Sequence, residues 1–442
     1  MKKLLLRSVQ CWIVPVVLAL LCSSATPPAC RANDVRYRVI KIIEGSGTTV
    51  PEAGGINQKG EVVGSMDGAG SPNFWLWSNG VRQDLPLGNG YSGLAASINN
   101  LGQVVGTYLT GEFFVDSFGD VSPVYHAFVR TEGSLQDLGT FGGWDSFGAW
   151  INDQGVALGS ADTAGDDRIP FIAQDGQKHS LRSLISNPSG WTLAVETHYV
   201  AADGRIWGLG TYRSKYHIYE MTPETNAMYC IRSRGVIETI DVVHVFAINE
   251  YGQAVGRLTL SADRGSAFLW DEQGTRLLDT PGQSASYAYA VNNLSQVVGM
   301  TKFGSPSYNA FLWENGVMVN LNDVIPSDSG VVLISATANS INDAGSIVCT
   351  YRNVASGLYG VCLLVPINPV PLEISHYEMK PAGISLEVRG GAGHPLAVEY
   401  TSDWSHWETL TTSTNLIGRR FFTDPSTKDA SFRAYRARLL AP

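Results

Sequence analysis

The sequence predicts an all-β fold, a seven-bladed β-propeller closed by its N-terminal strand and followed by a small β-sandwich. Three observations predict it: the pattern Ile-Asn-x-x-Gly-x-Val-Val-Gly recurs seven times, an aromatic strand follows most copies, and the last copy lacks a strand that the N-terminus can supply. The expected domains are a signal peptide at residues 1–32, the propeller at 33–366, a linker at 367–371 and the sandwich at 372–442.

The first 32 residues have the pattern of a secretory signal peptide. Lys2, Lys3 and Arg7 form a basic start, and the apolar run Cys11–Cys22 is too short to span a bilayer. Cleavage would remove four positive charges and no negative ones, so the formal net charge would change from -9 to -13 (-9 - 4). We therefore expect a secreted or extracellular protein, with the periplasm or cell surface as alternatives and no membrane insertion after cleavage.

The acidic balance also restricts the partners. The chain has no lysine or arginine cluster that would attract a phosphate backbone, so nucleic acid is not an expected partner. An extracellular carbohydrate or protein fits the composition better.

The repeat carries the fold prediction. Its seven copies begin at Ile56, Ile98, Ile151, Val200, Ile248, Val291 and Ile341. Successive copies start between 42 residues (Ile56 to Ile98) and 53 residues (Ile98 to Ile151) apart, which gives room for four short strands. That period favours a propeller blade over a solenoid coil.

The most repetitive side chains are expected to be structural. Asn-x-x-Gly between apolar stretches is a hairpin turn, in which the Asn side chain caps the turn and the glycine adopts a positive φ. This interpretation is preferred to a ligand-binding ring of Asn57, Asn99, Asn152, Asn249, Asn292 and Asn342. The aromatic residues of the Phe-Leu-Trp strands are likewise expected to form the core.

The two ends of the repeat region are expected to complete one blade. The seventh copy stops after two further strands, and residues 35–43 provide a spare strand before the first copy. Pairing them would remove exposed sheet edges.

Three pieces that recur in order resemble the HAF family of probable extracellular repeats. They are Asp137–Gly143 (DLGTFGG), the repeated turn, and His-Ala-Phe at His126–Phe128. The resemblance covers roughly residues 37–366 and departs from the family pattern in having one true His-Ala-Phe. It implies architecture and export, and it brings no activity.

The C-terminal region has its own strand pattern. Alternation after Leu372 predicts five or six short strands, and the segment resembles the C-terminal β-module of secreted planctomycete and verrucomicrobial proteins. Trp404, His406 and Trp407 could form a sugar platform, although tryptophan in a small sandwich is more often core.

No catalytic or metal-binding motif stands out in the chain. Asp162, Asp166 and Asp167 could gather a calcium ion, but their spacing is not that of a calcium loop, so a solvated turn is preferred. No other cofactor is expected.

After cleavage, Cys230, Cys349 and Cys362 remain. Cys349 and Cys362 flank a hairpin turn and could form a disulfide across two antiparallel strands, which would leave Cys230 as a buried apolar residue.

One loop exceeds the repeat template. The second copy has 19 residues between its Val-Val-Gly strand and its aromatic strand, where most others have nine or ten. The loop carries Phe113, Phe114, Asp116, Phe118 and Asp120, which could stack on a sugar or hold a peptide; the preferred alternative is a loop that folds over its own blade.

These features favour a secreted, non-enzymatic binding protein that recognises a carbohydrate or protein. The alternative is a propeller-type polysaccharide hydrolase or lyase whose carboxylates converge at one mouth of the channel. The two differ in whether carboxylates gather in a cleft.

Overall fold

The computed structural model divides the chain into two compact units built from β-strands, which confirms the all-β class. It describes residues 36–47, 49–66, 74–85, 93–115, 119–224, 228–237, 243–261, 264–278, 285–303, 307–367, 372–380, 383–389, 395–414, 419–425 and 433–439. The described residues include no α-helix, and none of their short 3-10 helices is long and apolar enough to cross a membrane. The predicted signal peptide at 1–32 and linker residues 368–371 lie outside them.

The first unit contains seven four-stranded antiparallel sheets. The first sheet contains β2 (Pro51–Ile56), β3 (Val62–Met66), β4 (Phe74–Ser78) and β5 (Val81–Leu85). The second contains β6 (Gly93–Ile98), β7 (Val104–Val115), β8 (Val121–Thr131) and β9 (Ser134–Asp137). The third contains β10 (Gly142–Ile151), β11 (Ala157–Thr163), β12 (Arg168–Gln174) and β13 (Gln177–Ser180). The fourth contains β14 (Trp191–Val200), β15 (Ile206–Tyr212), β16 (Lys215–Pro223) and β17 (Tyr229–Val236).

The other three sheets follow the same order. The fifth contains β18 (Val243–Ile248), β19 (Ala254–Ser261), β20 (Arg264–Asp271) and β21 (Gly274–Leu277). The sixth contains β22 (Ser286–Val291), β23 (Val297–Thr301), β24 (Asn309–Glu314) and β25 (Val317–Asn320). The seventh contains β26 (Val331–Ile341), β27 (Ile347–Asn353) and β28 (Tyr359–Pro366), with β1 (Tyr37–Glu44) paired to β28. Each sheet packs against the next along the chain, and β26 of the seventh packs against β2 of the first.

The glycine of each Val-Val-Gly segment is required by close packing. A Cβ on Gly106 would collide with the carbonyl oxygen of Leu94 on the preceding strand and press against the Phe128 ring on the following strand. The Phe-Leu-Trp rings therefore lie directly over the glycines. They form the core, as predicted, because Phe74, Phe128, Phe171, Phe268 and Phe311 are all buried.

The Asn side chains cap the turns, as predicted. The Asn292 Oδ1 atom accepts hydrogen bonds from the backbone N–H groups of Leu294 (3.0 Å) and Gln296 (2.9 Å). Its Nδ2 atom donates to the Gln296 side chain (2.7 Å) and to the Asn342 carbonyl oxygen of the next sheet (3.0 Å).

The bond from Nδ2 to the next sheet recurs around the unit. Asn57 donates to the Asn99 carbonyl (3.0 Å), and Asn342 of the seventh sheet donates to the Asn57 carbonyl of the first (3.1 Å). The fourth sheet departs from the pattern, since Ala201 occupies the Asn position and provides only the acceptor for Asn152 (3.3 Å). The repeated asparagine thus links neighbouring sheets as well as capping its own turn.

The second unit consists of two three-stranded antiparallel sheets in its described part. One contains β29 (Glu373–Lys380), β30 (Gly383–Arg389) and β33 (Arg419–Asp424); the other contains β31 (Pro395–Thr401), β32 (Glu408–Thr414) and β34 (Ala434–Leu439). Both sheets contribute to one core, which includes Leu386, Val398, Phe422 and Tyr435.

Candidate binding site

The long insertion of the second repeat is a pair of extended strands and not a loop. β7 and β8 continue past Leu109 and Tyr125, and pair again at Phe113 with Pro123 and at Phe114 with Ser122. Residues 110–115 and 121–124, hereafter the arm, extend the two strands at the end of the sheet opposite the Asn turn.

The two described aromatic residues of the arm differ in their exposure and contacts. Phe114 stacks on Trp144 of the third sheet, with ring centroids 5.1 Å apart and planes 16° apart. Phe113 is 62% exposed, and Asp120 is also exposed. Asp116 and Phe118 lie outside the described residues. One of the predicted aromatics thus packs on a neighbouring sheet, while another is on the surface.

Asp162, Asp166 and Asp167, for which a calcium site was the alternative to a solvated turn, make separate contacts in the structure. The Asp162 carboxylate accepts hydrogen bonds from Arg168 Nε (2.7 Å) and Nη2 (3.1 Å). Asp166 has a positive φ of 61°, and Asp167 closes a turn through its carbonyl oxygen, which accepts from Thr163 N (2.8 Å). Within the described ranges, no group of three His, Cys, Asp or Glu side chains could hold a metal ion.

Two of the cysteines face each other as predicted, but they do not form a disulfide. Cys349 and Cys362 are directly paired across β27 and β28 and are buried, but both are free thiols. Burial raises the pKa of Cys362 to about 12 and that of Cys349 well above its usual value, which keeps both protonated and poorly reactive. Cys230 is half-buried and not buried as predicted, because it lies on β17, the outermost strand of its sheet.

The expectation that the C-terminal tryptophans are core is wrong. Trp404 is exposed with a positive φ of 64°, and His406 is exposed beside it. Trp407 is half-buried, with the Arg436 guanidinium 4.1 Å from its ring centroid. These residues lie in the turn between β31 and β32, and none of them belongs to the buried core of the unit.

The structure also reveals an aromatic surface that the sequence reasoning missed. In the first strand of several sheets, one residue three positions before the Asn forms a β-bulge. The bulged residues are Gly54, Ala96 and Ala149 in the first three sheets, and Phe246 and Tyr289 in the fifth and sixth. A bulge re-aims the side chain that it carries, so two adjacent sheets present large rings where three others present little or nothing.

Four half-buried rings form a row, which we call the tyrosine cluster: Phe246, Tyr289, Tyr287 and Tyr308. Phe246 and Tyr289 lie 5.1 Å apart between centroids across the two sheets. Tyr289 and Tyr287 are nearly parallel at 5.8 Å, and Tyr287 meets Tyr308 edge-on at 6.1 Å. The exposed imidazole of His244 extends the row beyond Phe246, at 6.3 Å.

The cluster offers a hydroxyl donor and lies beside two positive charges. Burial raises the pKa of Tyr289 to about 12, and the neighbouring Tyr287 and Tyr308 add to the effect. The hydroxyl therefore remains protonated at neutral pH and can donate a hydrogen bond. Two cations flank the rings: Arg257 lies 4.7 Å from the Tyr287 centroid, and Lys302 lies 4.9 Å from that of Tyr308.

The sequence did contain a signal for this cluster. The segments HVFAIN and YAYAVN place aromatic or imidazole side chains at alternate positions directly before the repeated turn, whereas the first two repeats have EAGGIN and LAASIN there. Alternate residues of a strand face the same side. That the pairs from two sheets join into one row depends on sheet packing, which spacing alone does not give.

Comparisons with known proteins assign no family. No family model matches the chain, and no curated protein matches it. Among solved structures, TolB from Acinetobacter baumannii is 8% identical with a TM-score of 0.37, over 75% of this chain and 79% of that one. A prolyl endopeptidase is 11% identical with a TM-score of 0.41, over 78% of this chain and 47% of that one. Porphyromonas gingivalis dipeptidyl peptidase 4 is 10% identical with a TM-score of 0.33, over 86% and 60%.

The chain thus spans about half of the prolyl endopeptidase and under two thirds of the dipeptidyl peptidase. These similarities are too low to assign a fold or an activity, so the fold description rests on the strand pairings.

Proposed function

We propose that this chain is an exported seven-bladed β-propeller, closed by its N-terminal strand and followed by a small β-sandwich, that binds an extracellular carbohydrate at the tyrosine cluster. Two features support the closed ring: β1 is the fourth strand of the seventh sheet, and Asn342 is hydrogen-bonded to Asn57 of the first. Export is supported by the N-terminal sequence pattern.

The observation that carries the binding proposal is the row of four half-buried rings at bulged and neighbouring positions. A core needs buried rings, and these are neither fully buried nor singly scattered. Flat rings with adjacent hydroxyl groups suit a sugar, because the rings cover its apolar faces while the hydroxyls exchange hydrogen bonds with its own.

The alternative function, a polysaccharide hydrolase or lyase, requires carboxylates beside the bound sugar. The tyrosine cluster contributes rings and hydroxyl groups, the flanking Arg257 and Lys302 contribute cations, and none of these described side chains is a carboxylate. Binding without cleavage is therefore the function that this site supports best.

The test is a glycan array probed with the mature protein, from residue 33 onward, and with Tyr289→Ala. Alanine occupies the equivalent bulge at Ala96 and Ala149, so the variant should fold. We expect the mature protein to bind at least one polysaccharide and the variant to bind it about tenfold or more weakly, the loss that about 1.4 kcal/mol of ring contact produces.

The matched control is Tyr251→Ala, which removes a ring from the Asn turn of the neighbouring fifth sheet. Equal losses in both variants, or no binding by the mature protein to any glycan, would contradict the proposal. Release of new reducing or unsaturated ends from a bound glycan would instead support the enzymatic alternative.

A further inference from the structure

Arg257 interrupts the repeat at a position where a charge is not needed for the fold. It follows the glycine of the second strand in the fifth sheet. The corresponding residues of the other six sheets are Ser65, Thr107, Ser160, Leu209, Met300 and Thr350. All six are uncharged, so the arginine reflects something particular to this sheet.

The surroundings of Arg257 are shaped to hold it. A Cβ on Gly265 of the adjacent strand would collide with the Nε and Cζ atoms of Arg257, so the glycine leaves room for the guanidinium in its present position. In the sixth sheet the position of Gly265 is taken by Tyr308, and that of Arg257 by Met300. The fifth sheet therefore has a large side chain (Arg257) on its second strand and glycine on its third, whereas the sixth sheet has its large ring (Tyr308) on the third strand.

The positive charge of Arg257 is not neutralised within the described part of the chain. Its Nε atom is enclosed and has no hydrogen-bond partner. Several other arginines of this unit do form ion pairs, for example Arg168 with Asp162 (2.7 Å) and Arg276 with Asp271 (2.6 Å). An enclosed donor without a partner is costly unless something binds to it.

Lys302 adds a second cation at the other side of the row, over the Tyr308 ring. Like Arg257, it makes no ion pair among the residues that the structure describes. Two unpaired cations at one aromatic surface are unusual for a chain whose formal net charge is -9.

From these features we infer that the tyrosine cluster selects an anionic polysaccharide, with Arg257 and Lys302 receiving the carboxylate or sulfate groups of a sugar chain that stacks on the rings. The inference rests on the proposed carbohydrate binding and specifies its ligand class. Arginine suits this role because its planar guanidinium can form two parallel hydrogen bonds to one carboxylate or sulfate.

The ligands of the experiment separate charge from sugar shape. Polygalacturonate and fully methyl-esterified pectin share a sugar backbone and differ in their carboxylate charges, while dextran sulfate and dextran do the same for sulfate. We expect the mature protein to bind at least one charged member more tightly than its neutral partner, and added salt to weaken that binding. Which charged member is preferred identifies carboxylate or sulfate as the anion.

The variant is Arg257→Met, which installs the residue of the sixth sheet at the equivalent position. Loss of charge-assisted hydrogen bonds should weaken binding to the charged polysaccharide by about tenfold to a hundredfold. Binding to any neutral polysaccharide should change little. The matched control, Arg276→Met, removes the same charge from an outer strand of the same sheet and should leave both unchanged.

The outcomes separate this inference from the proposed function. Equal binding of charged and neutral partners that still depends on Tyr289 would overturn the anionic ligand and keep the carbohydrate site. Equal losses in Arg257→Met and Arg276→Met would show a general charge effect and would also overturn it. Binding to none of the four polysaccharides, with none found on the array, would overturn the proposed function itself.

Discussion

At the residue scale, the repeated asparagine satisfies backbone groups both within its turn and between sheets. Replacing Asn292 with alanine would leave two turn N–H groups and the Asn342 carbonyl oxygen without these partners in a buried region. We expect Asn292→Ala to lower the free energy of unfolding by about 2 to 4 kcal/mol, since several buried hydrogen bonds are lost together. Urea denaturation measures this.

The control for that prediction is Asn315→Ala, at an exposed turn between β24 and β25. Its positive φ of 51° makes a smaller loss, about 1 kcal/mol, the expected result. Equal losses at the two positions would mean that the contact between sheets contributes little.

The sequence predicted half of what these asparagines do. Asn-x-x-Gly spacing identifies the turn, because Oδ1 reaches N–H groups two and four residues ahead in the same chain segment. The Nδ2 bond joins Asn292 to a carbonyl 50 residues away. Its partner is determined by how neighbouring sheets pack, and local spacing has no information about that.

At the scale of the element, the arm shows how an insertion can be stabilised by a neighbour. The Phe114 ring stacks on Trp144, and Trp144 remains 48% exposed. We expect Trp144→Ala to increase amide hydrogen exchange in residues 111–115 and 121–122 with little change elsewhere, because an aromatic pair contributes about 0.5–1.5 kcal/mol beyond area burial.

Phe113→Ala is the comparison for the arm, since this ring lies one residue away and is 62% exposed. It should leave the exchange pattern unchanged. If Trp144→Ala also left it unchanged, the stacking contact would not be what holds the arm. The sequence identified this segment as an insertion, but it could not show the contact with Trp144, which begins a different sheet.

The β-bulges are the other feature of this scale that sequence reasoning missed. The bulged residue has no marker of its own, since Gly54, Ala96, Phe246 and Tyr289 all occupy the same position. The regular repeat predicted where the strands lie, because the Val-Val-Gly segment and the turn recur in most copies. The site lies where the repeat tolerates any side chain, and this variability hid it.

At the scale of the whole first unit, the pairing of β1 with β28 makes a specific prediction about closure. β1 buries Tyr37 and Ile43 and covers the backbone of β28, which would otherwise be an open sheet edge. Deleting residues 33–44 from the mature chain should lower the melting temperature by about 10 °C or more and promote self-association through the exposed edge. Differential scanning calorimetry and size-exclusion chromatography measure the two effects.

Loss of packing alone could destabilise the deleted protein, so a rearranged chain separates packing from closure. Tyr37 is paired with Pro366, so the end of β28 lies beside the start of β1, and a two-residue turn can join them. A chain that runs from residue 45 to 366 and then through such a turn into residues 37–44 contains the same strand at the other end of the sequence. It should recover the melting temperature of residues 33–366 and remain monomeric. If it stayed as unstable as the deletion variant, the N-terminal strand would not complete the seventh sheet by position alone, and the closed propeller would be the wrong description of this unit.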